Sequence, residues 1–271
     1  MAVINNEVVL SNIKSLCEQK RLMPMYRALI EYMSQADEKI DFYECFLAML
    51  QLQIDNDHML KVGRLRKTAK LRWSSATLED FKEASHRAVD FKMLAQLAKC
   101  HWIANFQHII ITGPTGAGKT HLACALVQSV IEQGYTALYM HFPALIRRLK
   151  MAERAGNDEL TKLRRQLSKV RVLLIDDWGI QHLSSEERHL LFELIEMRDQ
   201  NSSLIITSQY PTDVWHDAFQ DKVVADSVLD RIVSYAILID WDTDSYRRRK
   251  GAALAKASKE RITKPQSKGN K

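Results

Sequence analysis

The chain is short of the features that would place it outside the cell, in a membrane or around a structural metal. Its 271 residues include four cysteines, Cys17, Cys45, Cys100 and Cys124, and no two of them stand in C-x-x-C spacing. Buried, reduced thiols are therefore expected, rather than a zinc site or a disulfide framework. No stretch approaches the roughly 18 uninterrupted apolar residues that a membrane-spanning helix needs. The opening residues, MAVINNEVVLSNIKS, have no basic region followed by an apolar one, so a secretory signal is not expected and the chain reads as cytoplasmic. No internal repeat is visible. Residues 1–75 contain a single glycine, Gly63, and a single proline, Pro24, so little interrupts helix formation there.

What is present begins with helical periodicity. Apolar residues recur at three and four spacing in two stripes, one from Leu22 through Met25, Tyr26, Leu29 and Ile30 to Met33, the other from Phe42 through Cys45, Phe46 and Met49 to Leu50. The expectation is a small all-helical domain over 1–75 whose stripes pack on one another. Thr77 and Asp80 form a variant of a capping box that would start the next helix. From residue 76 to about 250 the pattern alternates between strand and helix. Five short apolar runs, 109–112, 137–140, 170–175, 204–207 and 236–239, read as parallel strands covered on both faces. The expected fold is α/β, a five-stranded parallel sheet with right-handed helical crossovers. Its ligand would lie at the carboxyl ends of the strands.

The net charge of +6 is concentrated. Residues 61–72 carry six basic residues and no acid, 147–171 nine against three, and 247–271 ten against one. Clustered positive charge displaces counterions from a phosphate backbone, so a nucleic acid is the expected partner. Residues 251–271, rich in Lys, Ser and Gly, read as a basic disordered tail.

The chemistry is carried by GPTGAGKT, residues 113–120, between the apolar run HIIIT and a helical stretch. Gly113, Gly116 and Gly118, with Pro114, Thr115 and Ala117, let consecutive backbone N–H groups turn inward and cradle phosphates. Lys119 would reach the β- and γ-phosphates of ATP or GTP and Thr120 would hold Mg²⁺, while His121 opens the helix whose dipole adds positive potential. Downstream, VLLIDDWG places Asp176 to hold the same Mg²⁺ and Asp177 to orient or deprotonate the attacking water. Thr207, Ser208 and Gln209 leave the fourth apolar run where a polar side chain could sense the γ-phosphate. Arg231 precedes the last strand and could act on a neighbouring subunit's nucleotide, or simply pair with Asp230. Arg247 opens the basic C-terminal stretch and could fold back over the nucleotide.

In this order and spacing, GPTGAGKTHLA, LLIDDWG, TSQYP, SVLDRIV and DSYRRR resemble the AAA+ ATPases of the DnaC/IstB group, and most closely the IstB-type helper ATPases of bacterial insertion sequences. TLEDFKE and WIANFQHIIITGP are especially similar to that type. The resemblance implies that Asp176 and Asp177 are the Walker B pair and that Gln209 or Ser208 is the first sensor. Arg231 would be the arginine finger acting in trans, and Arg247 the second sensor. It also implies a homo-oligomer with ATP at subunit interfaces, assembled on double-stranded DNA in the service of a cognate transposase, with 1–75 contacting partner or neighbour. Most AAA+ proteins use Glu where this chain has Asp177, one methylene shorter, which implies slow or stimulated hydrolysis. The motif set also fits a replicative helicase loader of the DnaC type. A small-molecule phosphotransferase would need an acceptor pocket, for which no sequence feature is found.

Overall fold

The computed structural model describes residues 6–35, 42–81, 91–219 and 221–241. Arg247 and the rest of the basic C-terminal stretch lie outside the described residues. The chain divides into two compact units, Met1–Arg64 and Leu65–Lys271.

The first unit is built from α1 (Asn6–Lys20), α2 (Met23–Gln35) and most of α3 (Phe42–Ala69). The stripes bury themselves only in part. Cys45 is covered and Leu22, Met25, Tyr26, Leu29 and Met49 are half-buried, but Ile30, Met33, Phe46 and Leu50 are exposed, as are Leu16, Leu47, Ile54 and Met59 outside the stripes.

The second unit follows the expected alternation. After a one-turn 3-10 helix (Leu78–Phe81), α4 (Phe91–Ala98) and α5 (His101–Ala104), it runs β1 (His108–Thr112), α6 (Lys119–Glu132), β2 (Ala137–His141), α7 (Phe142–Ala155), α8 (Asn157–Lys169), β3 (Val172–Trp178), α9 (Ser185–Arg198), β4 (Ser203–Ser208), α10 (His216–Phe219), α11 (Lys222–Val233) and β5 (Ala236–Asp240). All five strands are parallel, in the order β2-β3-β4-β1-β5. The β-branched run of β1 is fully buried between β4 and β5, as a central parallel strand requires. Local signals set the helix starts. Ser184 and Glu187 close a reciprocal capping box on α9, and the Asp221 side chain accepts from Val223 and Val224 N–H at the start of α11. Thr77 and Asp80 make only half of the expected box: the Asp80 carboxylate accepts from Thr77 N–H at 3.0 Å, but the Thr77 hydroxyl donates to Asp80 instead of capping it, and the turn stays 3-10.

The register decides what gathers at the carboxyl edge. Thr112 of β1 and Trp178 of β3 both pair with Ser208 of β4, and Asp176 pairs with His141 of β2. The phosphate loop, the two acids and the polar end of β4 are thereby brought level. The third strand differs from expectation by running through both acids to Trp178, with a register shift between Ile175 and Trp178. Asp177 sits in that bulge at φ 59°, a left-handed conformation that aspartate tolerates better than most residues.

At the other edge, where strands begin, two buried bases tie the layers together. Arg198, 1% exposed, donates to the carbonyls of Leu167, Val170 (3.1 Å) and Ser203 (2.6 Å), and burial lowers its pKa to about 9. His108 accepts from Leu204 N–H through Nδ1 at 3.2 Å. Burial, then the Arg198 charge, lowers its pKa to about 4. The unfolded chain would take up this proton at about pH 6.5, so the neutral imidazole contributes fully above that pH. Its contribution falls away between about pH 6.5 and 4, by up to about 3 kcal/mol. Urea unfolding at pH 7.5 and 4.5 should show that loss in the wild type and a smaller loss in His108→Gln. Equal losses would mean that His108 is already charged in the fold.

Candidate nucleotide site

The loop 113–118 leaves β1 and turns on three glycines with positive φ: 142° at Gly113, 81° at Gly116 and 102° at Gly118. Gly118 then caps α6, so the first free N–H groups of that helix face the loop. Lys119 is 6% exposed, and its Nζ donates to the Gly113 and Pro114 carbonyls at 2.7 and 2.9 Å. The ammonium is thus folded into the cradle where phosphate oxygens would compete for it. The Thr115 hydroxyl, on the same loop, donates to Gln209 Oε1 at 2.6 Å.

Asp176 is completely buried, and both of its oxygens are engaged. Oδ1 accepts from the hydroxyls of Thr120 (2.7 Å) and Thr207 (2.6 Å). Oδ2 accepts from Tyr139 (2.9 Å) and lies 3.6 Å from an Arg72 guanidinium nitrogen. Burial, then the Asp176 charge, pushes the Tyr139 phenol far above its usual range, so it remains a donor. The Thr207 oxygen also accepts from Asp177 N–H at 3.1 Å, so one hydroxyl holds both acids in place. The Asp177 carboxylate is 3.2 Å from His141 Nε2 at the end of β2. A threonine hydroxyl beside a buried carboxylate is the oxygen donor set that suits a hard, small divalent cation completed by water, and Thr120 and Asp176 fit Mg²⁺.

Ser208 and Gln209 have different partners. Ser208 is buried, donates to the Trp178 carbonyl at 3.0 Å and accepts from Tyr210 N–H at 3.1 Å, so its hydroxyl serves the strand end. Gln209 reaches the phosphate loop. His121 points away from the cradle, with Nε2 2.8 Å from Asp80 and its ring against Trp73 and Phe81. Arg231 is not brought to this loop. Its helix ends where β5 begins, while the loop follows the end of β1, parallel to β5. Its guanidinium donates to the Ser227 carbonyl at 2.7 Å, pairs with Glu196 at 2.7 Å and lies over the Phe192 ring, while Asp230 binds Ser234. The pairing with Asp230 that the sequence left open is therefore replaced by one with Glu196.

Four residues at the site escaped the sequence reading as site residues. Tyr139 had one usable signal, a phenol in an apolar strand that must find a partner. Thr207 was recognised only as part of a polar triplet. His141 carried no signal, and Arg72 was read as one more charge in a basic cluster.

Away from the cradle, α7 and α8 form a hairpin fastened to α9 by ion pairs of Lys150 with Glu187 (3.2 Å) and Arg164 with Glu193. Between the two helices lies an open groove of about 450 Å³ lined by Arg147, Arg148, Met151 and Lys162 among others. Among the described residues no helix is long and apolar enough to cross a membrane.

The comparisons with known proteins agree with this geometry. The chain is 40% identical over 195 residues to the insertion sequence IS1162 ATP-binding protein of Pseudomonas fluorescens, covering 72% of this chain and 84% of that one. It is 33% identical over 254 residues to the insertion sequence IS21 ATP-binding protein of Pseudomonas aeruginosa, covering 92% of each. Among solved structures, the DnaC helicase loader superposes with a TM-score of 0.55 at 24% identity, over 63% of this chain and 98% of that one, so the two share a fold. The family model for IstB-like ATP binding protein matches residues 15–253, and the chain belongs to that family.

Proposed function

We propose that the protein is an ATP-hydrolysing helper of an insertion-sequence transposase that assembles as a homo-oligomer on duplex DNA in the cytoplasm. The observation that carries this reading is the convergence of Lys119, Thr120, Asp176, Thr207 and Gln209 on one cradle in a chain whose relatives belong to insertion sequences. Lys119 would leave the loop carbonyls for the β- and γ-phosphates. Thr120 and Asp176 would hold Mg²⁺, which supplies charge neutralisation at those phosphates. Asp177, fixed through its N–H by Thr207, would accept the proton of the water that attacks the γ-phosphorus as the bond to the ADP oxygen breaks. Gln209 would report the γ-phosphate through its hydrogen bond with Thr115. Arg231 would leave Glu196 to serve a neighbouring subunit's nucleotide, and the second-sensor role proposed for Arg247 follows from resemblance alone. The exposed apolar helices of the first unit would supply the surface for neighbour or transposase.

The exposed arginines of the α7–α8 hairpin would face the DNA backbone. Sedimentation with duplex DNA should give large complexes with ATP and Mg²⁺ and none without nucleotide. Arg147→Gln with Arg148→Gln should lower the salt slope of DNA binding by about two, roughly one for each phosphate that the variant no longer neutralises. In the same assay Arg231→Ala should still assemble but lose DNA-stimulated hydrolysis. A protein that stays monomeric with ATP and DNA, or is recovered with a replicative helicase but no transposase, would favour the helicase-loader reading.

A further inference from the structure

The end of α3 and the residues that follow it are laid along α6, the helix that begins with Lys119 and Thr120. Arg66 pairs with Glu132 near the far end of that helix, and Gln128 donates to the Ser74 carbonyl. At the near end the Trp73 ring meets His121 edge-on at 5.9 Å, and Asp80 binds His121. These interactions run antiparallel to α6 and make residues 66–81 a strap along three turns of it. From this strap Arg72 reaches Asp176.

The two oxygens of Asp176 have unlike partners. Oδ1 is held by Thr120 and Thr207, both set by α6 and the sheet. Oδ2 is held by Tyr139, also on the sheet, and by Arg72, the only one of the four carried by the strap. Arg72 is also the loosest partner, at 3.6 Å and half exposed. A carboxylate with no exposed surface requires a compensating positive charge. Before nucleotide binds, the guanidinium supplies part of it. A divalent cation held by Thr120 and Asp176 supplies the same charge at the same carboxylate, and two cations within a few ångströms repel.

We propose that Arg72 competes with Mg²⁺ for Asp176, so that loading the nucleotide site with Mg²⁺ expels the guanidinium and loosens the strap from α6. This rests on the Mg²⁺–nucleotide reading of the site. It adds a route by which the site's occupancy reaches the segment that immediately follows α3, with no need for a relay through the sheet. It also reassigns one charge of the 61–72 cluster from DNA to the site.

The test uses the full chain and a fluorescent ADP, mant-ADP, titrated with Mg²⁺. Arg72→Gln should reduce the Mg²⁺ needed for half-maximal binding about three- to ten-fold, with Mg²⁺-free binding unchanged. Arg72→Lys should keep the wild-type requirement, and Tyr139→Phe should shift it in the same direction by less. An unchanged or raised requirement in Arg72→Gln overturns the proposal. So does weaker binding by that variant in EDTA, which would mean that the guanidinium grips phosphate. Should Arg72→Gln fail to fold, trypsin decides on the wild type. Cleavage after Lys67, Lys70 or Arg72 should be faster with Mg²⁺ and ADP than with ADP in EDTA, and equal rates overturn the proposal. A wild type that binds no mant-ADP with or without Mg²⁺ brings down the nucleotide reading and this inference together.

Discussion

Lys119→Ala is expected to weaken ATP binding about a hundred- to a thousand-fold while leaving the fold intact. The ammonium is nearly buried and donates to two loop carbonyls, Gly113 at 2.7 Å and Pro114 at 2.9 Å. Phosphate oxygens entering the cradle carry full negative charge and would replace those neutral acceptors. Charge-assisted hydrogen bonds contribute about 1.5–3 kcal/mol each, so losing two of them from the lower part of that range costs roughly 3–4 kcal/mol of binding. Each 1.4 kcal/mol is a factor of ten in affinity. The stability cost should be small, within about 1 kcal/mol, because the two carbonyls belong to a partly exposed loop and water can take the place of the ammonium. Titration with a fluorescent ATP, alongside urea unfolding, separates the two effects. Near-wild-type affinity in the variant would mean that the cradle's N–H groups alone hold the phosphates and that Lys119 is structural.

How much of this site the sequence could disclose depended on how its parts are connected. The phosphate loop is contiguous in the chain, and its spacing alone names the residues. Asp176 and Asp177 were legible because an apolar run delivers them to a strand end. The strand limits were legible to within three residues, because a buried parallel strand must be apolar on both faces. What could not be read was anything set by register between strands. Thr207, Tyr139 and His141 meet the acids only because β2, β3 and β4 lie in that order at that stagger. Consecutive residues on a strand point to opposite sides. Whether Ser208 or Gln209 faces the loop was therefore undecidable until β4 was placed between β1 and β3. Arg72 escaped notice at the site for a related reason, since charge clustering counts residues along the chain and says nothing of the buried carboxylate that one of them meets. The helical stripes of the first unit were legible only in part. Periodicity shows that an apolar face exists but not that the chain itself covers it.

Gly113→Ala is expected to be the most damaging single-methyl change in the loop, for a reason that phosphate binding does not supply. A Cβ at this position would lie 2.3 Å from the Trp241 carbonyl oxygen and 2.9 Å from its carbon, both backbone atoms. Trp241 cannot easily retreat. Its N–H donates to the Thr112 carbonyl at 2.8 Å and its indole N–H to the Ala117 carbonyl at 2.9 Å, so it is tied to both ends of the loop. Relieving the clash means breaking one or both bonds, at about 1 kcal/mol each, in addition to forcing an alanine to φ 142°. The sum is a destabilisation of roughly 3–5 kcal/mol, visible as a lower urea midpoint. Gly118→Ala is the informative comparison. That position also has positive φ, 102°, but an added Cβ meets nothing within 4 Å, so only conformational strain of about 1–2 kcal/mol applies. If Gly118→Ala destabilises as much as Gly113→Ala, the close approach of Trp241 is not what requires glycine at 113. If the two separate as expected, the first glycine of the motif is there to let Trp241 pack against the loop, and only the later ones are there chiefly for the phosphate.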